Sequence, residues 1–342
     1  MDEGEEDHLA LGPVHVNWLV TTACGMGCRH CYVRGRFAGG ELGAREAREL
    51  LEEIARCGVS SICFTGGEPL ARPGIFDLLE LAAARGLSVS VVTSGAAVNG
   101  EAARRLAALR AVVYLSVDGA GREAHERVRG RGSWEVALHA ARLLTGAGVR
   151  FQAVMTLSRL NCADAGAFPG TAREIGAAAA CLLPALPQGA LGRNLTLEAG
   201  EFARAVYAAA EGAEAAGIDL HLWCTPFAGA FGGLGGRVRY WGCRGSPVAD
   251  VSPAGEMLLC DVLDVVLADC RGKGFAAAYG EAAVRPEFAA AHRPGSPAGA
   301  CRDCPEWPCC RGGCFARTYM ETGDLAAPDP LCPRVAGVAA RH

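Results

Sequence analysis

The sequence predicts an α/β fold of parallel strands with a site at their C-terminal ends, followed by a smaller cysteine-rich domain. Three observations carry this. Short β-branched runs alternate with stretches of helical spacing at βα intervals. Most polar motifs fall just after a strand, where parallel βα folds build their sites. The alternation stops after Phe227, where glycines, turns and cysteines take over. A chain of 342 residues, 51 % hydrophobic and 20 % charged, suits one large and one small domain with a buried core.

Residues 14–21 read as the first strand because they are apolar and β-branched. Residues 22–40 form a loop rich in Gly and Cys, and 42–54 carry Glu, Ala, Arg and Leu at helical spacing. A second strand, 59–65, is closed by Gly66-Gly67-Glu68-Pro69. Helix 75–84 and strand 87–93 follow, with a break at Ser94-Gly95. Helix 101–109 leads to strand 112–117, which ends in Asp118-Gly119. Helix 134–145, strand 149–157, helix 172–179 and strand 181–186 continue the pattern. A long helix at 197–216 and a strand at 218–222 complete it. Residues 228–242 are glycine-rich, and 285–300, with Pro286, Pro294 and Pro297, read as a linker into the last cysteines.

Composition narrows the function. Lys plus Arg is 33 against 37 Asp plus Glu, a net charge of −4, which disfavours a broad nucleic-acid surface. No apolar stretch is long enough for a bilayer; the nearest, 175–187, is short, alanine-rich and holds two prolines. Neither nucleic acid nor membrane is therefore expected as a partner. The first residues, Met1-Asp2-Glu3-Gly4-Glu5-Glu6-Asp7, are acidic where a secretory signal is basic. A cytoplasmic location is expected, so the 17 cysteines read as metal ligands or redox groups, not disulfides.

Cys24, Cys28 and Cys31 form C-x3-C-x2-C in the first βα loop. Three thiolates on a short loop can hold three irons of a cubane, leaving the fourth open to an exchangeable ligand. A zinc site borrowing His30 is the other chemistry this spacing allows. The motif, with Tyr32 after it, resembles the radical S-adenosylmethionine (SAM) superfamily. Gly66-Gly67-Glu68-Pro69 resembles that family's second-strand motif for the methionyl amino group of SAM. Thr93-Ser94-Gly95 stands at its third-strand turn, and Ser116-Val117-Asp118-Gly119 at its fourth-strand segment. Arg129, downstream of His125, matches an arginine that pairs with the SAM carboxylate, and 188–193 match a segment near adenine. The resemblance covers residues 14–225 and implies a partial (β/α)6 TIM-like barrel. It also implies SAM contacts at Tyr32, Gly66, Gly67, Glu68, Pro69, Ser94, Ser116 and Arg129.

Read without the family, the same residues allow plainer roles. Glu68 is a carboxylate at a strand end, able to accept from an ammonium or to stand solvated in a loop. Gly66 and Gly67 make a turn and clear space for a ligand to approach backbone. Arg129 can grip a carboxylate bidentately, or belong with Arg122, Arg127 and Arg131 to a solvated basic face.

The later cysteines are Cys243, Cys260, Cys301, Cys304, Cys310, Cys314 and Cys332, spaced C-x11-G-x4-C, then C-x2-C-x5-C-x3-C, then a lone Cys. One tetrahedral zinc cannot use seven; two zinc sites or two iron–sulfur clusters can. The spacing resembles the SPASM domain of radical SAM enzymes, which implies two auxiliary [4Fe–4S] clusters and three in all. By position, Cys301, Cys304, Cys310 and Cys332 hold the distal one, and Cys243, Cys260 and Cys314 the nearer one. The expected fourth ligand of the nearer cluster is missing just before Cys243; Cys224 is the upstream candidate, against an open iron or a buried thiol. Cys57, Cys63, Cys162, Cys181 and Cys270 read as small hydrophobes or surface thiols. Cys310 rather than its neighbour Cys309 fits the spacing, and Tyr240, Trp241 and Trp307 read as packing near the clusters. Asp261 occupies the position of the substrate base in sulfatase-maturing relatives, or else makes a turn bond.

The expected organisation is an N-terminal extension at 1–13, the barrel at 14–225, a glycine-rich linker at 226–242 and the SPASM domain at 243–342. The resemblance implies an enzyme that cleaves SAM to a 5′-deoxyadenosyl radical and abstracts hydrogen from a ribosomally made peptide. A crosslinked or oxidised residue results. Its partners are a peptide, a separate precursor-recognition protein and a flavodoxin- or ferredoxin-like electron donor. Thirteen residues before the first strand leave no room for a built-in recognition domain. The alternatives are oxidation or decarboxylation of a small molecule such as a haem precursor, an iron–sulfur electron-transfer or scaffold protein, and a zinc-stabilised binding module.

Overall fold

Alternation along β1 (His15–Thr21) sets the frame: Val16, Trp18 and Val20 are fully buried on one face, while His15 and Asn17 are half-buried on the other. The computed structural model describes residues 12–188, 192–246 and 248–339. From β1 the sheet runs in chain order through β2 (Ser61–Gly66), β3 (Ser88–Thr93), β4 (Val112–Ser116) and β5 (Phe151–Leu157). It continues through β6 (Ala179–Pro184), β7 (Asp219–Leu222) and β8 (Val238–Tyr240), all parallel. On the other side of β1 lies β9 (Val248–Val251), also parallel to it, with His15 opposite Val248. Then β10 (Glu256–Leu258) and β11 (Val266–Asp269) finish the sheet antiparallel. Between Tyr240 and Val248 the chain therefore passes from one edge of the partial barrel to the strand beside β1.

Helices α1 (Ala44–Arg56), α2 (Ile75–Ala84), α3 (Gly100–Ala108), α4 (Arg122–Arg129) and α5 (Ser133–Gly146) connect the first strands. α6 (Phe168–Glu174) and α7 (Ala199–Ala216) connect the later ones. Their apolar faces share one core with the outward residues of the strands, among them Trp18, Phe64, Val91 and Leu115. The opposite face of the sheet is polar: Cys181 and His221 both bond to the Gln152 carboxamide, and His15 bridges Ser61 and Asn17.

Local chemistry explains where elements differ from expectation. The helix read at 172–179 lies at Phe168–Glu174, because Pro169 opens it and Gly176, at φ +87°, ends it. The strand after it accordingly begins at Ala179. The polar segment before Arg129 is α4, which buries Ala124, His125 and Val128. The linker at 285–300 contains a helix: α8 (Phe275–Ala283) is followed at once by α9 (Pro286–His292), with Phe288, Ala291 and His292 buried. Pro286 starts this helix at its first position, where the missing N–H costs nothing, and so does not break it. Short helices α10 (Trp307–Cys310), α11 (Phe315–Thr322) and α12 (Pro333–Ala336) complete the C-terminal lobe. Among the described residues no helix is long and apolar enough to cross a membrane.

Candidate active site and cysteine centres

The loop after β1 is pinned against the turn after β2. Gly67 N–H donates to Thr21 O at 2.7 Å and Glu68 N–H to Ala23 O at 2.9 Å. Gly66 has φ +117°, and a Cβ there would sit 2.4 Å from Thr21 O; at Gly67 one would sit 2.3 Å from Ala23 O. The two glycines thus let two backbones touch, a different task from clearing room for a ligand. Glu68 is buried at 2 % exposure. Its Oε1 accepts from the Thr93 hydroxyl at 2.7 Å and Leu70 N–H at 3.3 Å; its Oε2 accepts from Ser94 N–H at 2.9 Å and the Ser94 hydroxyl at 2.5 Å. The carboxylate is held by the end of β3 and is no solvated loop side chain. Pro69, also buried, begins a short 3-10 turn beyond it.

Each sulfur of the three-cysteine loop has a donor. Met26 N–H lies 3.4 Å from Cys24 Sγ, Arg34 N–H lies 3.4 Å from Cys31 Sγ, and Arg129 Nη1 lies 3.8 Å from Cys28 Sγ. Such donors favour thiolates, so the set fits anionic metal ligands. Burial still pushes the Cys28 thiol up, with Arg129 opposing it. Arg129 stands apart from its basic neighbours. Arg122 and Arg127 are exposed and paired with glutamates of their own surface, whereas the Arg129 side chain is 10 % exposed. Its Nε donates to Asp118 Oδ2 at 2.5 Å.

Asp118 is fully buried just past β4 and collects the loop around it. His30 Nε2 lies 3.0 Å from its Oδ2, and Thr156 N–H donates to its Oδ1 at 2.6 Å. Burial works to raise its pKa, but Arg129 and His30 together hold the carboxyl far below its usual range. His30, the ligand that a zinc site would borrow, is thereby engaged with Asp118. Among the described residues no three His, Cys, Asp or Glu side chains gather as a single-ion site. Ser116, at the end of β4, is buried beside this group.

Two carboxyls meet where the C-terminal lobe reaches the loop. The Tyr32 hydroxyl donates to Asp261 Oδ2 at 2.9 Å, and Asn17 Nδ2 donates to Asp250 Oδ1 at 2.8 Å. Burial raises the pKa of Asp261; burial and then the Asp261 charge raise that of Asp250 well above normal. Burial and Asp261 also push the Tyr32 phenol up. Asp261 thus takes the Tyr32 hydroxyl on Oδ2 and also accepts from the nearby Val262 N–H.

The C-terminal cysteines fall into two groups. Cys301, Cys304, Cys310 and Cys332 line one small cavity with Trp307. Cys309 is exposed and outside it. Gly312 N–H serves Cys310, and the amides of Arg334 and Val335 serve Cys332. In the second group the Cys224 thiol donates to the Cys314 sulfur, with the Cys243 and Cys260 sulfurs close enough to raise its pKa further. That contact draws the Cys314 thiol down, against its burial and helped by Arg317. Cys224 adopts φ +51°, and its carbonyl accepts from Arg317 Nη2 at 2.7 Å. Arg317 is paired with Asp329 at 2.6 Å, and Asp329 Oδ2 accepts Cys314 N–H at 2.8 Å. Cys63, Cys181 and Cys270 are buried; Cys57 and Cys162 are half-buried.

The segment at 188–193 is divided. Gln188 Nε2 donates to Asp264 Oδ2 at 2.8 Å, and Arg193 pairs with Glu321 at 2.7 Å, so both turn toward the C-terminal lobe. Gly189, Ala190 and Leu191 lie outside the described residues. Tyr240 donates to Glu306, and Trp241 is 53 % exposed against the His221 ring. Sequence reasoning missed Asn17, Arg244, Asp250 and Asp329. Asn17 and Asp250 interrupt apolar strands, and Arg244 adjoins Cys243, which are the signals they carry.

Comparison with known proteins agrees with this architecture. The family model described as "Radical SAM superfamily" matches residues 18–160. The mycofactocin maturase MftC of Mycobacterium ulcerans is 31 % identical, over 98 % of this chain and 91 % of that protein. The AdoMet-dependent heme synthase of Methanosarcina barkeri is 28 % identical, over 94 % of this chain and 96 % of its own. The crystal structure of Streptococcus suis SuiB bound to precursor peptide SuiA superposes with a TM-score of 0.73 at 13 % identity, covering 94 % of this chain and 76 % of SuiB. Kinship sustained along nearly the whole of both chains places this protein in the radical SAM superfamily, as an iron–sulfur, SAM-using enzyme related to its SPASM-domain maturases.

Proposed function

We propose that this enzyme modifies a peptide, crosslinking or oxidising a residue of it. The observation that carries the reading is the polar face of the sheet. Burial lowers the pKa of His15 and His221 and pushes the Cys63 thiol up to about 12, so these groups are neutral at pH 7. With Asn17, Ser61, Ser90 and Gln152 they make an uncharged hydrogen-bonding wall, suited to peptide backbone and neutral side chains.

The cofactors follow the residues. Cys24, Cys28 and Cys31 hold the SAM-binding cluster, and Cys301, Cys304, Cys310 and Cys332 hold the distal auxiliary one. Cys243, Cys260, Cys314 and Cys224 hold the nearer one; the Cys224–Cys314 bond supports Cys224 as its fourth ligand over an open iron. Residues 14–225 then serve SAM and 243–342 the auxiliary clusters, joined through 226–242. SAM on the reduced cluster supplies hydrogen-atom abstraction from an unactivated carbon. Glu68, fixed by Thr93 and Ser94, presents its carboxylate edge to the SAM ammonium, with Gly66, Gly67 and Pro69 shaping the turn around it. Ser94 and Ser116 border the same strand ends. Arg129 compensates charge at Cys28 and keeps donors for the SAM carboxylate. Tyr32 holds Asp261 in place, where it can take a proton from substrate. A flavodoxin- or ferredoxin-like protein delivers the electron, and a separate protein presents the precursor.

A second reading has its own observation. Arg150, just before β5, and Arg239, opposite His221 on β8, act on that histidine, where they could receive the carboxylates of a haem precursor. The test separates the two. Anaerobically reconstituted enzyme is given SAM, dithionite and either the short peptides encoded beside its gene or a carboxylated tetrapyrrole. Peptide mass change with 5′-deoxyadenosine release supports the first reading; tetrapyrrole turnover with unchanged peptide replaces it by the second.

A further inference from the structure

Arg244 is a buried cation with no carboxylate partner among the described residues. The residue is 4 % exposed, and it follows Cys243 directly. Its Nε donates to Gly313 O at 2.8 Å, Nη1 to Ala291 O at 3.0 Å and Nη2 to Leu325 O at 2.8 Å. Three separate segments therefore hold it: the Cys310–Cys314 turn, α9 and the loop after α11. Its Cζ lies 5.7 Å from the Phe315 ring centroid. The nearest carboxylate acting on it, Asp329, is already bonded to Arg317 through both oxygens.

Neutral carbonyls satisfy its donors but leave its charge uncompensated, which is costly in a buried place. A guanidinium does not escape by losing its proton. Sulfurs adjoin it: Cys243 precedes it in the chain, and the Gly313 carbonyl it holds precedes Cys314; the charges of Cys314, Cys243 and, after Asp329, Cys310 act on it. Those sulfurs carry negative charge when they ligate iron. The carbonyl cradle thus fixes one positive charge between two sites that become anionic on loading.

We propose that Arg244 is a positioning residue for the electron chemistry of the C-terminal lobe: its fixed charge favours the reduced, more negative state of the auxiliary clusters and so makes them better electron acceptors. This rests on the assignment of the auxiliary ligands above. The couple concerned is the one-electron change between the 2+ and 1+ states of each cluster. None of the groups that hold Arg244 or act on it belongs to the Cys24, Cys28 and Cys31 loop, whose neighbouring cation is Arg129, so that loop serves as the internal reference.

The experiment is an EPR-monitored titration with dithionite of the reconstituted full chain, comparing wild type, Arg244→Gln and Arg244→Lys at matched iron content. In Arg244→Gln an auxiliary midpoint shifts to more negative potential while that of the SAM-binding cluster stays in place; Arg244→Lys lies close to wild type. Unchanged auxiliary midpoints in an iron-loaded Arg244→Gln protein overturn the proposal. If Arg244→Gln fails to fold or load, Arg244→Lys decides: wild-type midpoints support the charge, and loss of auxiliary iron in that variant as well assigns Arg244 to the carbonyl scaffold instead. A wild-type chain that never takes up auxiliary iron would fail on the ligand assignment, not on Arg244.

Discussion

Glu68 shows what one side chain does at a strand end. Its two oxygens accept from four donors, so its removal leaves the Thr93 and Ser94 donors stranded in a buried place. Glu68→Ala should weaken SAM binding by about 1.5–3 kcal/mol, roughly ten- to a hundredfold, as measured by equilibrium dialysis. Parental affinity in the variant would displace the SAM site from this turn. His125 gives a second residue-scale expectation. Burial lowers its pKa from 6.5 to about 4, and its Nδ1 accepts Asp118 N–H at 3.1 Å. The unfolded chain takes up a proton near pH 6.5 that the folded chain refuses. Stability is therefore full above about pH 6.5 and falls as pH drops toward 4, by up to ~3 kcal/mol. Urea unfolding across that window should show a shallower slope in His125→Gln; an identical slope would mean that His125 is protonated in the fold.

The elements were legible to different degrees, for physical reasons. β2 was readable because its central residues are buried on both faces, and β3 because buried Val89, Val91 and Thr93 alternate with less buried residues. α4 was not, since its eight residues bury only three and the rest are charged. α9 was hidden by its proline, which local sequence alone cannot sort into helix start or breaker. The clustering of cysteines was legible in their spacing. The company of Cys224 and Cys314 was not, because residues ninety apart meet only through tertiary packing. The role of Gly66 also emerges only with the loop in place. Gly66→Ala combines a left-handed φ with a contact to backbone that cannot yield. It should cost at least about 1–3 kcal/mol and detach the cysteine loop from β2. Differential scanning calorimetry with an iron assay checks this; an unchanged melting temperature and full iron would show the turn to be more adaptable than it is drawn.

At the scale of the whole molecule, the two lobes share one sheet and several bonds. Arg36 pairs with Asp264 at 2.6 Å, Tyr32 with Asp261, and Glu53 accepts Phe275 N–H at 2.7 Å. A chain ending at residue 242 would lose β9 from β1 and bare the Asn17 face. It should aggregate rather than fold alone, as size-exclusion chromatography would show. A monomeric, iron-binding fragment would instead make the lobes independent. The same seam has a consequence in time. β1 leaves the ribosome before β2, which soon covers one of its edges. The other edge waits for residues 248–251. At ~5–20 residues per second, on the order of ten to forty seconds separate the two pairings. Through that interval an apolar strand shows unpaired amides to every other nascent chain nearby. Yield in a growing cell should thus be governed by crowding of polysomes and by chaperone cover more than by the finished protein's resistance to heat.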